Sequence, residues 1–369
     1  MVLGIDVSTY FEELEAGAKY FLDGKEIEPL DEFISNGVSY MRIRVWNNPF
    51  DEEGNPYLGG TNDLATCVKL AKLAKEKGYK FIIDFHYSDF WADPGKQFAP
   101  KAWKDLSFEE VKNELGKFTK EALQTLKDGG IDVEYVQIGN EITNGMCWPF
   151  GKLDETISPR GNYENLSILL KEGCKAAKEV YPNIKTIIHL ERSYDIAIYN
   201  EYFENIIKNG VEFDVIGMSY YPYWHGTFEQ LFANVENCKK NFNKEIMIME
   251  LGFGFTLEDY LLTNNGTTQL VINEKNLETL TKSLPHPISP EGQKLFVRDF
   301  LKLAKEHEIS GVVYWEPIWT PQGEKICWAS THGQKYINEL GKSTRNEWSN
   351  QCLFDYEGHA LPAFKEFKN

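Results

Sequence analysis

The sequence predicts a single α/β domain folded as a (β/α)8 barrel, and three observations carry that prediction. Eight short runs rich in β-branched and aromatic residues alternate with longer amphipathic stretches, the pattern of repeated β-α units feeding a parallel sheet. No linker, repeat or low-complexity tract divides the 369 residues, a length that suits one large barrel or two ordinary domains. After the first run the chain reads Asp6-Val7-Ser8-Thr9. An open doubly wound sheet, the alternative, would usually carry a Gly-rich dinucleotide turn there. The expected domain spans residues 1–369.

The strand-like runs fall at 3–6, 38–45 (VSYMRIRV), 79–86 (YKFIIDFH), 133–139 (VEYVQIG), 184–190 (IKTIIHL), 214–220 (DVIGMSY), 245–250 (EIMIME) and 311–315 (GVVYW). Helical periodicity occupies 30–36, 63–77, 108–127, 163–181, 196–209, 227–241 and 290–307, with a short last stretch at 362–367. Gly37, Gly78, Gly129 and Gly210 stand where a left-handed glycine would stop a helix. Ser107 followed by Glu109 and Glu110 reads as an N-cap with acids in the first turn, and Pro290-Glu291 opens a helix in the same way.

Composition excludes several functions. With 39 Lys+Arg against 56 Asp+Glu, the net charge of -17 repels phosphate backbones and anionic lipid, so neither nucleic acid nor membrane is an expected partner. No apolar run reaches the roughly 18 residues a bilayer span needs. The six cysteines form no C-x-x-C pair and read as reduced filler. The chain opens Met1-Val2-Leu3-Gly4-Ile5-Asp6, without the basic and apolar regions of a leader. The expectation leans to the cytoplasm and imported oligosaccharides, with export the alternative if a leader has been trimmed. A monomer is expected.

Barrel active sites form where the strands end, and here the ends are polar. The runs lead to Asp6, to Arg42, Arg44 and Trp46, to Asp84, His86 and Asp89, to Asn140 and Glu141, to His189, to Tyr220 and Tyr221, to Glu250, and to Trp315 and Glu316. Glu141 and Glu250 each close an almost purely apolar strand, where a carboxylate is expensive unless used or paired. Strands four and seven face each other across a barrel mouth, so the two carboxylates can flank one bond. Glycosidic hydrolysis needs such a pair, one protonated and one ionised. The plainer reading is that each caps a helix or pairs with Arg42 or Arg44. Aromatic residues crowd the same loops: Trp46, Tyr87, Phe90, Trp91, Trp148, Tyr220, Tyr221, Tyr223, Trp224, Trp315 and Trp319. They suit sugar stacking, or packing of the barrel rim. The histidines show no paired metal spacing, no G-x-S-x-G elbow occurs, and Cys147 has no activating neighbour in sequence.

The blocks Gly4-Ile5-Asp6-Val7-Ser8, Arg42-Ile43-Arg44-Val45-Trp46-Asn47-Asn48-Pro49, Asp84-Phe85-His86-Tyr87-Ser88-Asp89-Phe90-Trp91-Ala92-Asp93-Pro94-Gly95 and Val136-Gln137-Ile138-Gly139-Asn140-Glu141-Ile142-Thr143-Asn144-Gly145, with Asn350-Gln351-Cys352-Leu353-Phe354-Asp355 near the C-terminus, resemble glycoside hydrolase family 53, the endo-β-1,4-galactanases. The resemblance implies a (β/α)8 barrel and retaining cleavage inside the β-1,4-galactan of type I arabinogalactan. It makes Glu141 the acid/base, Glu250 the nucleophile, Asn140 the partner of the sugar 2-hydroxyl, and an arginine of the second strand the group that keeps the nucleophile ionised. Trp91 and Trp315 are then expected as stacking platforms, with Asp89 or His86 bonding a hydroxyl in the −1 subsite. No cofactor is expected for the chemistry. Bacterial members often bind a structural calcium beyond the nucleophile. The corresponding stretch here, around Asp259 and Asn264, offers oxygen ligands but no histidine. A mannanase or cellulase of the same clan, or a carbohydrate-binding barrel without turnover, are the competing functions.

Overall fold

Eight parallel strands close into a barrel in the computed structural model, which describes residues 1–260, 270–274, 277, 285–323, 325–342 and 348–368. They are β1 (Val2–Asp6), β2 (Tyr40–Val45), β3 (Lys80–Phe85), β4 (Val133–Ile138), β5 (Lys185–Leu190), β6 (Val215–Tyr220), β7 (Glu245–Leu251) and β8 (Gly311–Trp315). β8 returns to β1 in parallel register, Val2 opposite Gly311 and Asp6 opposite Trp315. The alternation read from the sequence is therefore the wall of the barrel.

Seven expected helices form as Pro29–Ser35, Leu64–Glu76, Phe108–Asp128, Tyr163–Val180, Ile196–Lys208, Phe228–Phe242 and Pro290–Glu306, while Pro362–Phe367 is a 3-10 turn. Ser107 caps its helix in a reciprocal box with Glu110. Gly37, Gly78 and Gly210 take positive φ as expected, but Gly129 does not; its φ is -72°, the helix runs on to Asp128, and Gly130 at +73° makes the turn. Pattern reading does not anticipate the helices Tyr10–Ala16 and Thr331–Glu339, nor the hairpins Tyr20–Leu22/Lys25–Ile27 and Gly145–Met146/Gly151–Lys152. All four lie within connections, where short elements are held by tertiary contacts more than by periodicity.

The barrel interior changes character along its axis, and the strand period of two explains how. Tyr40, Ile82, Tyr135, Ile187, Val215, Met247 and Val313 pack together in its lower part. Two residues on, the inward positions become Arg42, Asp84, Gln137 and His189, all buried. A further step brings Arg44, His86 and Glu191. β2, β3 and β5 thus each deliver an apolar anchor, then a polar support, then a group near the mouth. Above the mouth a second apolar cluster, including Trp46, Phe90, Trp91, Trp319 and Trp348, ties the long β8 loop to the β2 and β3 loops.

Candidate active site

Arg42 organises the floor. Its guanidinium is fully enclosed and donates to Gln137 (2.8 Å), Asp6 (2.9 Å), Asp84 (2.9 Å), Asn140 Oδ1 (2.8 Å) and Glu250 (3.1 Å). Desolvating that many charges is tolerable only because each is paired. Burial alone would raise the Asp84 carboxyl, but Arg42 and then His86 override it and hold it at about 2. His86 Nδ1 accepts the N–H groups of Trp46 and Ala92, both at 3.0 Å, so Nε2 is the donor to Asp84 at 3.1 Å. Arg44 binds Asp6 (3.1 Å) and Glu316 (2.7 Å) and lies 4.5 Å from the centre of the Trp91 ring.

The chain leaves β4 sharply. Gly139 has φ +91°, and a Cβ there would fall 2.6 Å from the Ile142 side chain. Glu141 itself is left-handed, φ 48° and ψ 48°, a conformation that costs on the order of 1–3 kcal/mol and concentrates at functional sites. Gln97 Nε2 pins the bend by donating to the carbonyls of Asn140 (2.7 Å) and Glu141 (3.2 Å). Glu250 reaches the mouth by a different device. The β6–β7 register runs Met218 opposite Ile248 and then Ser219 opposite Glu250, a bulge at Met249. Met247 and Met249 both pack in the barrel, so strict alternation would turn Leu251 inward. The bulge turns Glu250 inward instead.

An oxygen of Glu141, an oxygen of Glu250 and a ring nitrogen of His189 lie within 4.8 Å of one another. That spacing suits retaining glycosidases, whose carboxyls are about 5–5.5 Å apart, and is short of the roughly 6.5–9.5 Å that leaves room for water in inverting ones. Burial raises both carboxyls. On Glu141 the charge of Glu250 adds to the rise and only the Ser219 hydroxyl, at 2.6 Å, opposes it among its hydrogen bonds. On Glu250 the rise is countered by Arg42 and by the Tyr221 hydroxyl at 2.9 Å, leaving it at about 7. Glu250 therefore ionises first and Glu141 keeps the proton.

A cleft of about 550 Å³ opens over this pair. Of the sequence-derived candidates, Glu141, Glu250, Tyr221 and Trp315 line it. Asp6, Arg42, Arg44, Asp84, His86 and Asn140 lie beneath it as a buried support. The four remaining candidates, Trp46, Asp89, Tyr220 and Trp91, do not line the cleft. Trp46 and Asp89 are fully enclosed; Asp89 is occupied by the backbone N–H groups of Asn48 and Lys101, so it does not bond a sugar. Tyr220 points away from the mouth and stacks on Phe296 and Phe300, because its neighbours Ser219 and Tyr221 take the inward face. Trp91 is a backing ring: it stacks at 4.1 Å on Trp328, and Trp328 lines the cleft. Trp224, one of the loop aromatics read from the sequence, also lines it, and lining residues the sequence reading did not single out include Asp93, Glu191, His225 and Trp328. Period two from Ile187 through His189 points to Glu191. Trp328 carries no such signal, since its position depends on the fold of a long loop.

Among the described residues, acids and histidines bring three ligand atoms together at Glu141/His189/Glu250 and at Asp355/Glu357/His359. Asp259 belongs to neither set, and Asn264 lies outside the described residues. Family 53 chemistry needs no cofactor. No helix among the described residues is long and apolar enough to cross a membrane.

Two buried carboxyls facing each other at the mouth of a (β/α)8 barrel are the constellation of a glycoside hydrolase. The family is equally plain, because the glycosyl hydrolase family 53 model matches residues 2–367. The Bacillus subtilis (strain 168) endo-beta-1,4-galactanase is 35% identical over 387 residues, covering 100% of this chain and 85% of that protein. The Cellvibrio japonicus (strain Ueda107) arabinogalactan endo-beta-1,4-galactanase is 31% identical over 376 residues, covering 99% and 90%. The solved Ignisphaera aggregans GH53 catalytic domain superposes with a TM-score of 0.86 at 36% identity, covering 100% and 95%. The chain belongs to glycosyl hydrolase family 53.

Proposed function

We propose that residues 1–369 form one catalytic domain, working as a monomer, that cleaves β-1,4-galactosidic bonds inside galactan chains with retention of configuration. The observation that carries this reading is the close approach of Glu141 and Glu250 in a family 53 barrel. Galactan is the substrate class in the names of the B. subtilis and C. japonicus relatives. In the first step the Glu250 carboxylate attacks the anomeric carbon while Glu141 gives its proton to the departing glycosidic oxygen. In the second, Glu141, now ionised, takes a proton from water, which displaces Glu250 from the sugar. Arg42 and Tyr221 hold Glu250 for attack, and Asn140, fixed by Arg42 at its oxygen and by the Ala92 carbonyl at its nitrogen, is the partner of the sugar 2-hydroxyl through its second amide proton.

Release of reducing ends from galactan, mannan and carboxymethylcellulose in parallel tests the reading. Galactose carries an axial 4-hydroxyl, and a polar site built for one epimer leaves its own groups unpaired with the other. Galactan is expected to be preferred by more than about a hundredfold in kcat/KM, about 2.7 kcal/mol. Comparable rates on the other polymers would favour a broader glycanase, and no release from any would favour the binding barrel. Glu250→Ala is expected to be close to inactive on every substrate. Glu141→Ala is expected to keep glycosylation by substrates with good leaving groups and to regain turnover with azide. Azide rescue of the Glu250 variant alone would reverse the two roles.

A further inference from the structure

We propose that Ser219 is a positioning residue that selects which oxygen of Glu141 carries the catalytic proton; the inference rests on the acid/base role given to Glu141 above. Ser219 Oγ lies 2.6 Å from Glu141 Oε1 and 2.9 Å from His189 Nε2. Both Ser219 and His189 are fully buried. Two donors face His189 Nδ1, the Gln137 amide at 3.0 Å and the Glu141 backbone N–H at 3.4 Å. Asn140 Oδ1, also 3.0 Å from Nδ1, accepts a hydrogen bond from Arg42 Nη2 at 2.8 Å. The Ser219 hydroxyl has one proton and gives it to Glu141, so the contact with His189 needs a proton on Nε2; Nδ1 of the neutral ring is then the acceptor for the donors facing it. Burial lowers the His189 pKa well below its ordinary value, and Arg42 lowers it further, which keeps the ring neutral.

The consequence passes down the chain. His189 Nε2–H donates to Ser219 Oγ, and Ser219 gives its single proton to Glu141 Oε1. With Oε1 engaged as an acceptor, the acid's own proton resides on Oε2, which has no hydrogen bond among the described residues. When the glycosidic C–O bond breaks, its electron pair stays on the leaving oxygen, which receives the Oε2 proton, while Glu250 forms the new bond to the anomeric carbon. Glu141 is left as a carboxylate already bonded by Ser219, ready to accept a proton from water. Without Ser219 both oxygens compete for the proton, and one of them presents it away from the linkage.

The test compares Ser219→Ala and Ser219→Thr with the unaltered enzyme on galactan and on 2,4-dinitrophenyl β-galactobioside, whose leaving group needs no proton. Ser219→Ala is expected to lose about tenfold or more in kcat/KM on galactan and less than about threefold on the activated substrate, and Ser219→Thr to recover most of the loss. The basic limb of the Ser219→Ala pH profile is expected to move to higher pH, because a donor to ionised Glu141 is gone while Glu250, Glu191, Asp93 and Tyr221 still face it. Equal losses on both substrates would mark a merely structural serine, and no loss on either would also overturn the proposal. An unaltered enzyme inactive on both galactosides would instead overturn the galactanase reading, before any variant is compared.

Discussion

The Arg42 guanidinium bonds Glu250, the Asn140 beside Glu141, and the two aspartates below them. Lysine offers the same charge without the planar fork. Arg42→Lys is expected to lower kcat at least about a hundredfold and to cost roughly 3 kcal/mol or more of stability by leaving buried carboxylates unpaired, read by steady-state kinetics and denaturant unfolding. A variant within about tenfold of the parent would contradict that role. Tyr221→Phe removes one hydrogen bond to ionised Glu250, so about a tenfold loss in kcat/KM is expected with little change in fold. The pH profile follows from the same residues. Glu250 must be ionised and Glu141 protonated, giving a bell whose acidic limb belongs to Glu250 and whose basic limb belongs to Glu141. Tyr221→Phe should move only the acidic limb, upward; a shift of the basic limb alone would assign the two carboxyls the other way round.

Strand ends do the aiming at the level of elements. Gly139 at φ +91° swings the chain out of β4, and the bulge beside Met249 rotates β7 so that Glu250 faces Ser219. Gly139→Ala is expected to cost about 1–3 kcal/mol in stability and to reduce kcat as Glu141 shifts. Ser107→Ala, which breaks the capping box of the Phe108–Asp128 helix on the outer layer, should cost about 1 kcal/mol with kcat unchanged. Calorimetry and kinetics on both separate aiming from stability, and an unaltered kcat in Gly139→Ala would detach the β4 turn from catalysis. The strands themselves were legible as β-branched runs, and Glu191 was legible in principle from the period of two. Tyr220 and Tyr221 were not separable by residue type, since adjacent strand residues face opposite ways and only the register says which faces in.

Across the whole molecule the buried carboxyls set the pH dependence of stability. Glu250 and Glu316 are both raised from 4.5 to about 7 by burial, against the opposing charges of Arg42 and Arg44. The folded state therefore binds their protons more tightly, and stability fully present below about 4.5 is lost as pH rises toward 7. Asp84, held at about 2 against an ordinary 3.8, works in the other sense: its contribution is present above 3.8 and lost as pH falls toward 2. Tm is expected to peak near pH 5 and to decline by pH 7.5, while the growing negative charge of the chain acts in the same direction. A Tm that rises steadily from pH 5 to 8 in a scanning calorimeter would refute this linkage. By itself the sequence determined the barrel and the two strands that end in a carboxylate, because periodicity and the cost of a charge beside an apolar strand are local properties. The tertiary structure alone decided that Glu250 points inward in place of Leu251, since a bulge exists only in the pairing of two strands. It also made Trp46 and Trp91 into core and Trp328 into cleft wall, because the β8 loop that covers the first two arrives from more than two hundred residues away.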